Sequence, residues 1–384
     1  MELTKCKLGE LITKRREKND GSDLPICGVS KDGLIPPKQK DADTSIYNVF
    51  YRDDFIFNPA RMELNSIAIN DMYDRAICSS LYEVFYVHRT DLLLPHYLKL
   101  IIRQKWFTRY CEFLGQGSAR EYCRFSDISE IEIEFPTIEE QQKIVDYTTT
   151  IENRIALKQK INDNLVAIGT TSIQKNVGRG ALINLSEAEM DRLTFPKDFK
   201  VENVSEFCVE TKSGSTPSRT NKEYWENGTI SWVKSGEVHN NITLQTEEYI
   251  TPLGLTESST KLLPKNTVLM AMYGVTAGEV GYLAIEATTN QAICGMICHS
   301  KAEAAYLYFS LIQSQAAISR LSNGGAQDNL SKNFIDNIKI VVPPSDFIEK
   351  MNLAAFVEQM TLNTREIALL ENLQSTILAQ LSSN

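Results

Sequence analysis

Residues 115–145, GQGSAREYCRFSDISEIEIEFPTIEEQQKIV, recur in diverged form at residues 323–351 as NGGAQDNLSKNFIDNIKIVVPPSDFIEKM. Each copy runs from a glycine-bearing loop through a short polar helix-like stretch into an alternating strand. Ile131 and Ile133 take the places of Ile338 and Ile340, and Pro136 that of Pro343. A long helical segment follows each proline, and Ile155-Ala-Leu157 in the first answers Ile367-Ala-Leu369 in the second. Self-similarity of this kind marks a duplication, and the order becomes globule, helix, globule, helix.

The two helices read alike. Apolar residues fall at Ile144, Tyr147, Ile151 and Ile155 and then at Leu157, Ile161, Leu165 and Ile168 in the first; in the second they fall at Leu353, Phe356, Met360, Ile367, Leu370, Leu373, Ile377 and Leu381. Steps of mostly three and four residues make one stripe per helix. Pro136-Thr137 with Glu139 and Glu140, and Pro344-Ser-Asp346 with Glu349, supply caps and first-turn acids. The stripes can bury each other as a coiled-coil pair, or each can pack on its own globule. Boundaries follow at 1–136, 137–180, 181–343 and 344–384. Within the globules, TISWVKSGEV, TVLMAMYG and EVGYLAIE read as strands, as do YNVFYRDDFIFNP and SSLYEVFYVHR. PHYLKLIIRQKWFTRYCEFL and AYLYFSLIQSQAAISRLS read as helices. The expected fold class is α+β: two pseudo-symmetric mixed α/β domains joined by two long antiparallel helices.

Composition narrows the function. At 384 residues the chain exceeds the usual size of one core. No apolar run reaches the length of a membrane span, and the N-terminus lacks a secretory apolar region, so the expected setting is cytoplasmic. The eight cysteines include no CxxC pair, and Cys294 and Cys298 lie in an apolar segment, which suits core thiols better than a metal site. A net charge of −9 argues against a simple nucleic-acid coat. Two basic clusters stand out nevertheless: Lys14, Arg15, Arg16 and Lys18, and Lys99, Arg103, Lys105, Arg109, Arg120 and Arg124. Either is a nucleic-acid surface or a solvated face.

The second globule carries a specific series. Ser213-Gly-Ser-Thr-Pro-Ser218, Glu223-Tyr-Trp225, Gly228-Thr-Ile-Ser-Trp-Val233 and Ser235-Gly-Glu237 are followed by Lys261-Leu-Leu-Pro264, Thr267-Val-Leu269, Gly274 and Asn290-Gln-Ala292. The first globule offers Phe57-Asn-Pro-Ala-Arg61 and Ser79-Ser-Leu-Tyr82, and Glu140-Gln-Gln-Lys-Ile144 opens the central helix. Together these resemble the specificity (S) subunit of Type I restriction–modification systems, with two target recognition domains, over essentially the whole chain. Phe347-Ile-Glu-Lys-Met351 departs from the glutamine phrase at the second helix.

The resemblance implies that each domain reads one half of a bipartite sequence in double-stranded DNA. The helices would form a coiled-coil spacer and seat two adenine-methyltransferase subunits, with Ile144, Ile151, Leu165, Met360, Ile367 and Ile377 as partner-binding positions. Two motor–endonuclease subunits would complete the restriction complex. S-adenosylmethionine, ATP and Mg would belong to those partners, leaving this chain without cofactor, metal or catalysis of its own.

Base reading needs donors and acceptors on loops, whereas phosphate contacts mainly position the protein. The expected DNA-binding residues are Arg15, Arg16, Arg61, Tyr82, Arg120 and Arg124 in the first domain. In the second they are Ser213, Thr216, Ser218, Arg219, Lys234, Ser235, Tyr273, Thr276 and Gln291, with Trp225 and Trp232 as core. Two other readings stay open. Phe113-Leu-Gly-Gln-Gly117 has the pattern of a methyl-donor loop, which would make the chain a self-contained S-adenosylmethionine-dependent adenine methyltransferase, although a helix-like stretch precedes it. A related fused, Type IIB-like restriction system would use the same recognition domains.

Overall fold

The run Thr267-Val-Leu-Met-Ala271 lacks the alternation of a half-exposed strand, so both its faces must be covered. In the computed structural model all five residues are buried in the middle of a five-stranded sheet. The structure describes residues 3–31, 33–37, 43–115, 122–183, 185, 192–239, 242–322 and 329–382. Contacts divide the chain into a first unit, Met1–Arg154 with Leu370–Asn384, and a second, Ile155–Leu369. The division cuts through both long helices.

In the first unit, β1 (Thr4–Lys7) pairs antiparallel with β10 (Glu132–Phe135). One sheet has the order β2 (Ile12–Arg15), β9 (Glu83–Val87), β6 (Phe55–Phe57), β7 (Ile67–Ile69). Another has β4 (Gly33–Ile35), β3 (Ile26–Ser30), β8 (Arg75–Cys78), β5 (Asn48–Tyr51). Helices α1 (Pro95–Ile102), α2 (Lys105–Gly115) and α3 (Phe125–Ser129) complete the globule. Its core is aromatic: Phe55 and Phe85 stack with centroids 5.0 Å apart, and Phe57 and Phe125 close on the same ring.

The second unit repeats this plan. There β12 (Lys200–Asn203) pairs antiparallel with β21 (Lys339–Val342), and β11 (Ala181–Leu182) lies on β21's other edge. The five-stranded sheet runs β13 (Glu210–Ser213), β20 (Ile293–Ile297), β17 (Thr267–Ala271), β18 (Val280–Leu283), β15 (Ile242–Thr243). A three-stranded sheet runs β16 (Glu248–Ile250), β14 (Ile230–Val233), β19 (Thr288–Thr289). The order β13-β20-β17-β18 matches β2-β9-β6-β7, and the parallel pair β14–β19 matches the parallel pair β3–β8. Sequence placed the duplication mainly in the loop–strand–helix module; the backbone carries it through the globules as well. Short strands accept any residue of suitable polarity, so pairing order survives where identity is lost.

Helix α4 (Ile138–Asn176) starts where Pro136-Thr137 predicts. Gln141 holds this start in place, its fully buried amide donating to the carbonyls of Leu92 and Pro136 at 2.8 Å each and accepting from the Leu94 N–H at 2.9 Å. The second unit adds α5 (Val204–Phe207), α6 (Pro252–Thr256), α7 (Lys301–Ser322) and α8 (Lys332–Asp336). After the second proline a single helix is expected, but two are present: α9 (Ser345–Lys350) and α10 (Leu353–Ser382). Asn352 between them is left-handed at φ 53°, a conformation asparagine tolerates, and its N–H closes on the Glu349 carbonyl.

Within the second unit α4 and α10 run antiparallel. Lys158 pairs with Glu366 at 2.8 Å, and the fully buried Asn363 donates to Asn162 at 2.8 Å. Within the first unit Gln374 donates to Glu152 at 3.1 Å, and Leu378 packs on the core.

Gly169 lets α4 cross α7 closely, because a Cβ there would lie 2.4 Å from two ring carbons of Phe309. Helix propensity alone makes Gly169→Ala stabilising by about 1 kcal/mol. Overpacking against a fully buried ring opposes this with about 1–3 kcal/mol. The expected result is a lower urea midpoint with an unchanged slope, and a raised midpoint would show that the crossing is loose.

Candidate nucleic-acid interface

In the second unit the strand order delivers three loops to one place. The Gly214 N–H donates to the Ile293 carbonyl at 3.1 Å and the Ser215 N–H to the Thr289 carbonyl at 2.9 Å, which lays the loop after β13 on the β19–β20 connection. The Met272 N–H donates to the Ala292 carbonyl at 2.7 Å and brings in the β17–β18 loop. Ser213, Thr216, Tyr273, Thr276 and Gln291 therefore gather, and Thr216 donates to the Gln291 side chain at 2.5 Å. Gly214 is required by the closeness of this approach, since a Cβ would fall 2.1 Å from Thr289 Oγ1. Val275, missed in the sequence, projects fully exposed from the same hairpin, where Gly274 turns at φ 74°.

Ser218, Arg219, Lys234 and Ser235 form a second patch with a different character. The Arg219 guanidinium lies 3.6 Å from the Trp225 ring centroid and 4.8 Å from that of Trp232, and it pairs with Glu248. Lys234 pairs with Glu247 at 2.5 Å and Glu248 at 3.4 Å. Arg219, and then Lys234, hold the Glu248 carboxyl below its usual range, while the Glu247 hydrogen bond leads in raising the Lys234 ammonium. Both of these expected DNA-binding cations are thus already neutralised by carboxylates of their own unit. Ser218 shares a 2.8 Å hydroxyl bond with Thr220 and its carbonyl accepts the Trp225 indole N–H; Ser235 opens the short turn Ser235–Glu237. Trp232 is core as expected, but Trp225 is half-buried and serves as the platform for Arg219.

The first unit corrects the N-terminal basic cluster. The Arg15 fork binds both oxygens of Asp54, at 2.6 and 3.0 Å, between the rings of Tyr51 and Tyr86 at 4.7 Å each. Asp54 is 3% exposed, and burial pushes its carboxyl up against the pull of Arg15. Arg15 is a structural residue because a buried carboxylate needs a paired cation. Lys14 is committed to Glu83 at 2.7 Å and Lys18 to Asn48 at 2.7 Å, whereas Arg16 is exposed with no side-chain partner among the described residues. In the other cluster Lys99 and Arg103 both face Glu152.

Arg61 and Tyr82 do meet, on one cleft that also takes in Tyr47 and Tyr122, two tyrosines that sequence reasoning passed over. The Cys123 N–H donates to the Pro59 carbonyl at 3.0 Å and draws exposed Arg124 toward the Arg61 turn, Pro59–Leu64. Arg120 lies outside the described residues, as do Gln116 and Gly117 of the FLGQG phrase. Phe113 and Gly115 end α2, so a helix stands where a methyl-donor loop needs a strand.

Most of the expected partner-binding stripe packs inside the chain. Ile151 and Met360 are buried, Ile144 packs on the first unit's core and Leu165 on the second's, and Ile367 and Ile377 are half-buried. One apolar stripe cannot serve both its own core and a partner. The exposed apolar side chains are instead Tyr147 and Leu373 in the first unit, and Leu157, Ile168, Leu362 and Leu369 in the second. Among the described residues no three His, Cys, Asp or Glu side chains are grouped to hold a metal, and no helix is long and apolar enough to cross a membrane.

The family model of the Type I restriction modification DNA specificity domain matches residues 2–167 and 196–372. The specificity subunit of the Type I restriction enzyme HindI of Haemophilus influenzae is 21% identical over 356 residues, spanning 76% of this chain and 77% of its own. That of MjaIX from Methanocaldococcus jannaschii is 22% identical over 300 residues, spanning 76% and 69%. The S subunit of the Type-I restriction-modification system from M. genitalium shares the fold, with a TM-score of 0.60, 15% identity, and coverage of 99% and 96%.

Removing one member of a buried ion pair costs about 3 kcal/mol, against about 0.5 kcal/mol at most for an exposed side chain without partners. Urea unfolding of Arg15→Ala and Arg16→Ala is therefore expected to separate the two neighbours by that margin. Equal midpoints would return Arg15 to the list of free cations.

Proposed function

The chain belongs to the family of Type I restriction modification DNA specificity domains, and from that premise we propose that it is the DNA-sequence-specificity subunit of a Type I restriction–modification complex. The observation that carries this reading is the repeated strand order, β2-β9-β6-β7 and β13-β20-β17-β18, each copy bearing a cluster of polar loops. Two readers in one chain suit a target of two half-sites with unread bases between.

The readers differ in chemistry. In the first, Arg16, Arg61 and Arg124 are exposed cations suited to phosphates or to guanine edges. In the second, the gathered side chains are neutral hydroxyls and an amide, Ser213, Thr216 and Gln291, suited to base edges rather than charge. With a net charge of −9, tight binding depends on further cations from partner subunits.

α4 and α10 act as an antiparallel coiled-coil spacer in this proposal. The 39 residues of α4 span about 58 Å at 1.5 Å per residue, longer than one duplex turn of about 34 Å. Two adenine-methyltransferase subunits dock on the helices, with exposed Leu157, Ile168, Leu362 and Leu369 among their contacts. Two motor–endonuclease subunits complete the restriction form in the cytoplasm. S-adenosylmethionine, ATP and Mg act on those partners, and this chain contributes recognition without catalysis.

Expression with its methyltransferase subunit in a methylation-free host is expected to mark one bipartite motif of fixed spacer, read by methylome sequencing. Adenine methylation without such a motif overturns the proposal. In the same complex, Arg61→Ala and Arg124→Ala should each weaken DNA binding about tenfold and lower the salt slope by about one.

A further inference from the structure

The two copies differ most sharply beside matching strands. By the shared strand order and the registers Ile26 opposite Ile77 and Trp232 opposite Thr288, Ile26 on β3 is the counterpart of Trp232 on β14. In the second unit Trp232 meets Trp225 edge-on at 5.0 Å, and the planar Arg219 guanidinium stacks on the pair. Trp225 and Arg219 come from residues 214–229, which join β13 to β14. The equivalent connection in the first unit, residues 16–25, is six residues shorter and brings no such plug. A cleft of about 840 Å³ lies along β3 instead.

Its lining has a definite chemistry. Tyr47, Tyr82 and Tyr122 supply aromatic faces, Ser66 and Ser79 supply hydroxyls, and Arg61 is an exposed cation that makes no ion pair among the described residues. The volume falls within the roughly 300–1,000 Å³ of small-molecule sites. Leu81, 78% exposed, and Leu64, 56% exposed, stand on the rim. Apolar side chains so placed are uncovered in the free protein and fit the gap left between base pairs when one base leaves the stack.

The geometry points to a binding site in the first unit for a single nucleobase unstacked from the DNA target, lodged among Tyr47, Tyr82 and Tyr122 with its phosphate at Arg61 and with Leu81 filling the vacated stack. This rests on the specificity-subunit reading and adds a mode of recognition to it. The base takes the role that Arg219 plays in the second unit, a flat group against aromatic rings. The cost of unstacking is offset by stacking on the tyrosine rings and by the Arg61–phosphate contact.

The test uses the full chain in complex with its methyltransferase subunit and duplexes carrying 2-aminopurine at each position of the half-site read by the first unit. Binding should raise fluorescence strongly at one position other than the methylated adenine. Leu81→Ala, at an exposed side chain, should abolish that rise, and Tyr82→Ala should weaken binding about tenfold. An abasic site at that position should bind at least as tightly as the normal duplex, because the unstacking cost is gone. Sequence-specific binding with no such position overturns the cleft proposal and leaves the specificity reading standing, whereas loss of all sequence preference sinks that reading itself. Saturable binding of free nucleoside monophosphates that Tyr82→Ala removes, without any duplex signal, would assign the cleft to a soluble nucleotide and likewise overturn the proposal.

Discussion

A buried amide has to find partners or cost about 1–3 kcal/mol, and Asn363 is such a group, fully enclosed on α10. It accepts from Lys158 at 3.2 Å and Gln359 at 3.0 Å and donates to Asn162 at 2.8 Å. Sliding α10 past α4 by a turn would strand that amide in an apolar seam, so the polar layer fixes register where the apolar stripes alone would tolerate several. Much else in the second unit follows from that register. Phe309, which also touches Phe356 of α10, meets Gly169 rather than a residue with a Cβ, and Lys158 reaches Glu366.

What sequence made legible were features of period and local order. The loop–strand–helix repeat, the buried strand Thr267–Ala271, the start of α4 and the apolar stripes can all be read from spacing within a few residues. What escaped were pairings between distant positions. Arg15 looks like a free cation until Asp54, 39 residues later, closes on it, and Arg219 until Glu248 does. The EQQ phrase is visible in the sequence, whereas the clamp by which Gln141 holds three backbone groups is not. Asn352 was equally visible as a letter, yet its left-handed turn reflects how α9 must end. The candidate site was therefore half legible: the sequence names loops that the fold brings together, while the partners that engage Arg15, Arg219 and Lys234 lie far along the chain.

The duplicated scaffold separates what must be kept from what is open to change. Strand order is shared, whereas the loops it carries have diverged in length and charge. One copy exposes Arg16, Arg61 and Arg124 without an ion pair among the described residues, with Arg61 on an open cleft. The other neutralises Arg219 and Lys234 internally and presents hydroxyls and an amide. Such neutral contacts carry sequence information with little dependence on salt, and exposed cations do the reverse. On the proposed reading, the two domains of one fold would respond differently to ionic strength.

The two units also differ in how the chain reaches them. The second is one continuous stretch, Ile155–Leu369, while the first needs Leu370–Asn384 in addition to Met1–Arg154. Leu378 is packed on a core that otherwise ends at Val145. On the ribosome, where chains emerge from the N-terminus, the unit that begins first is accordingly the one that finishes last. Its nascent globule waits with part of its apolar surface uncovered through the synthesis of the whole second unit. Apolar surface left open over such an interval is what chaperones bind and what aggregates.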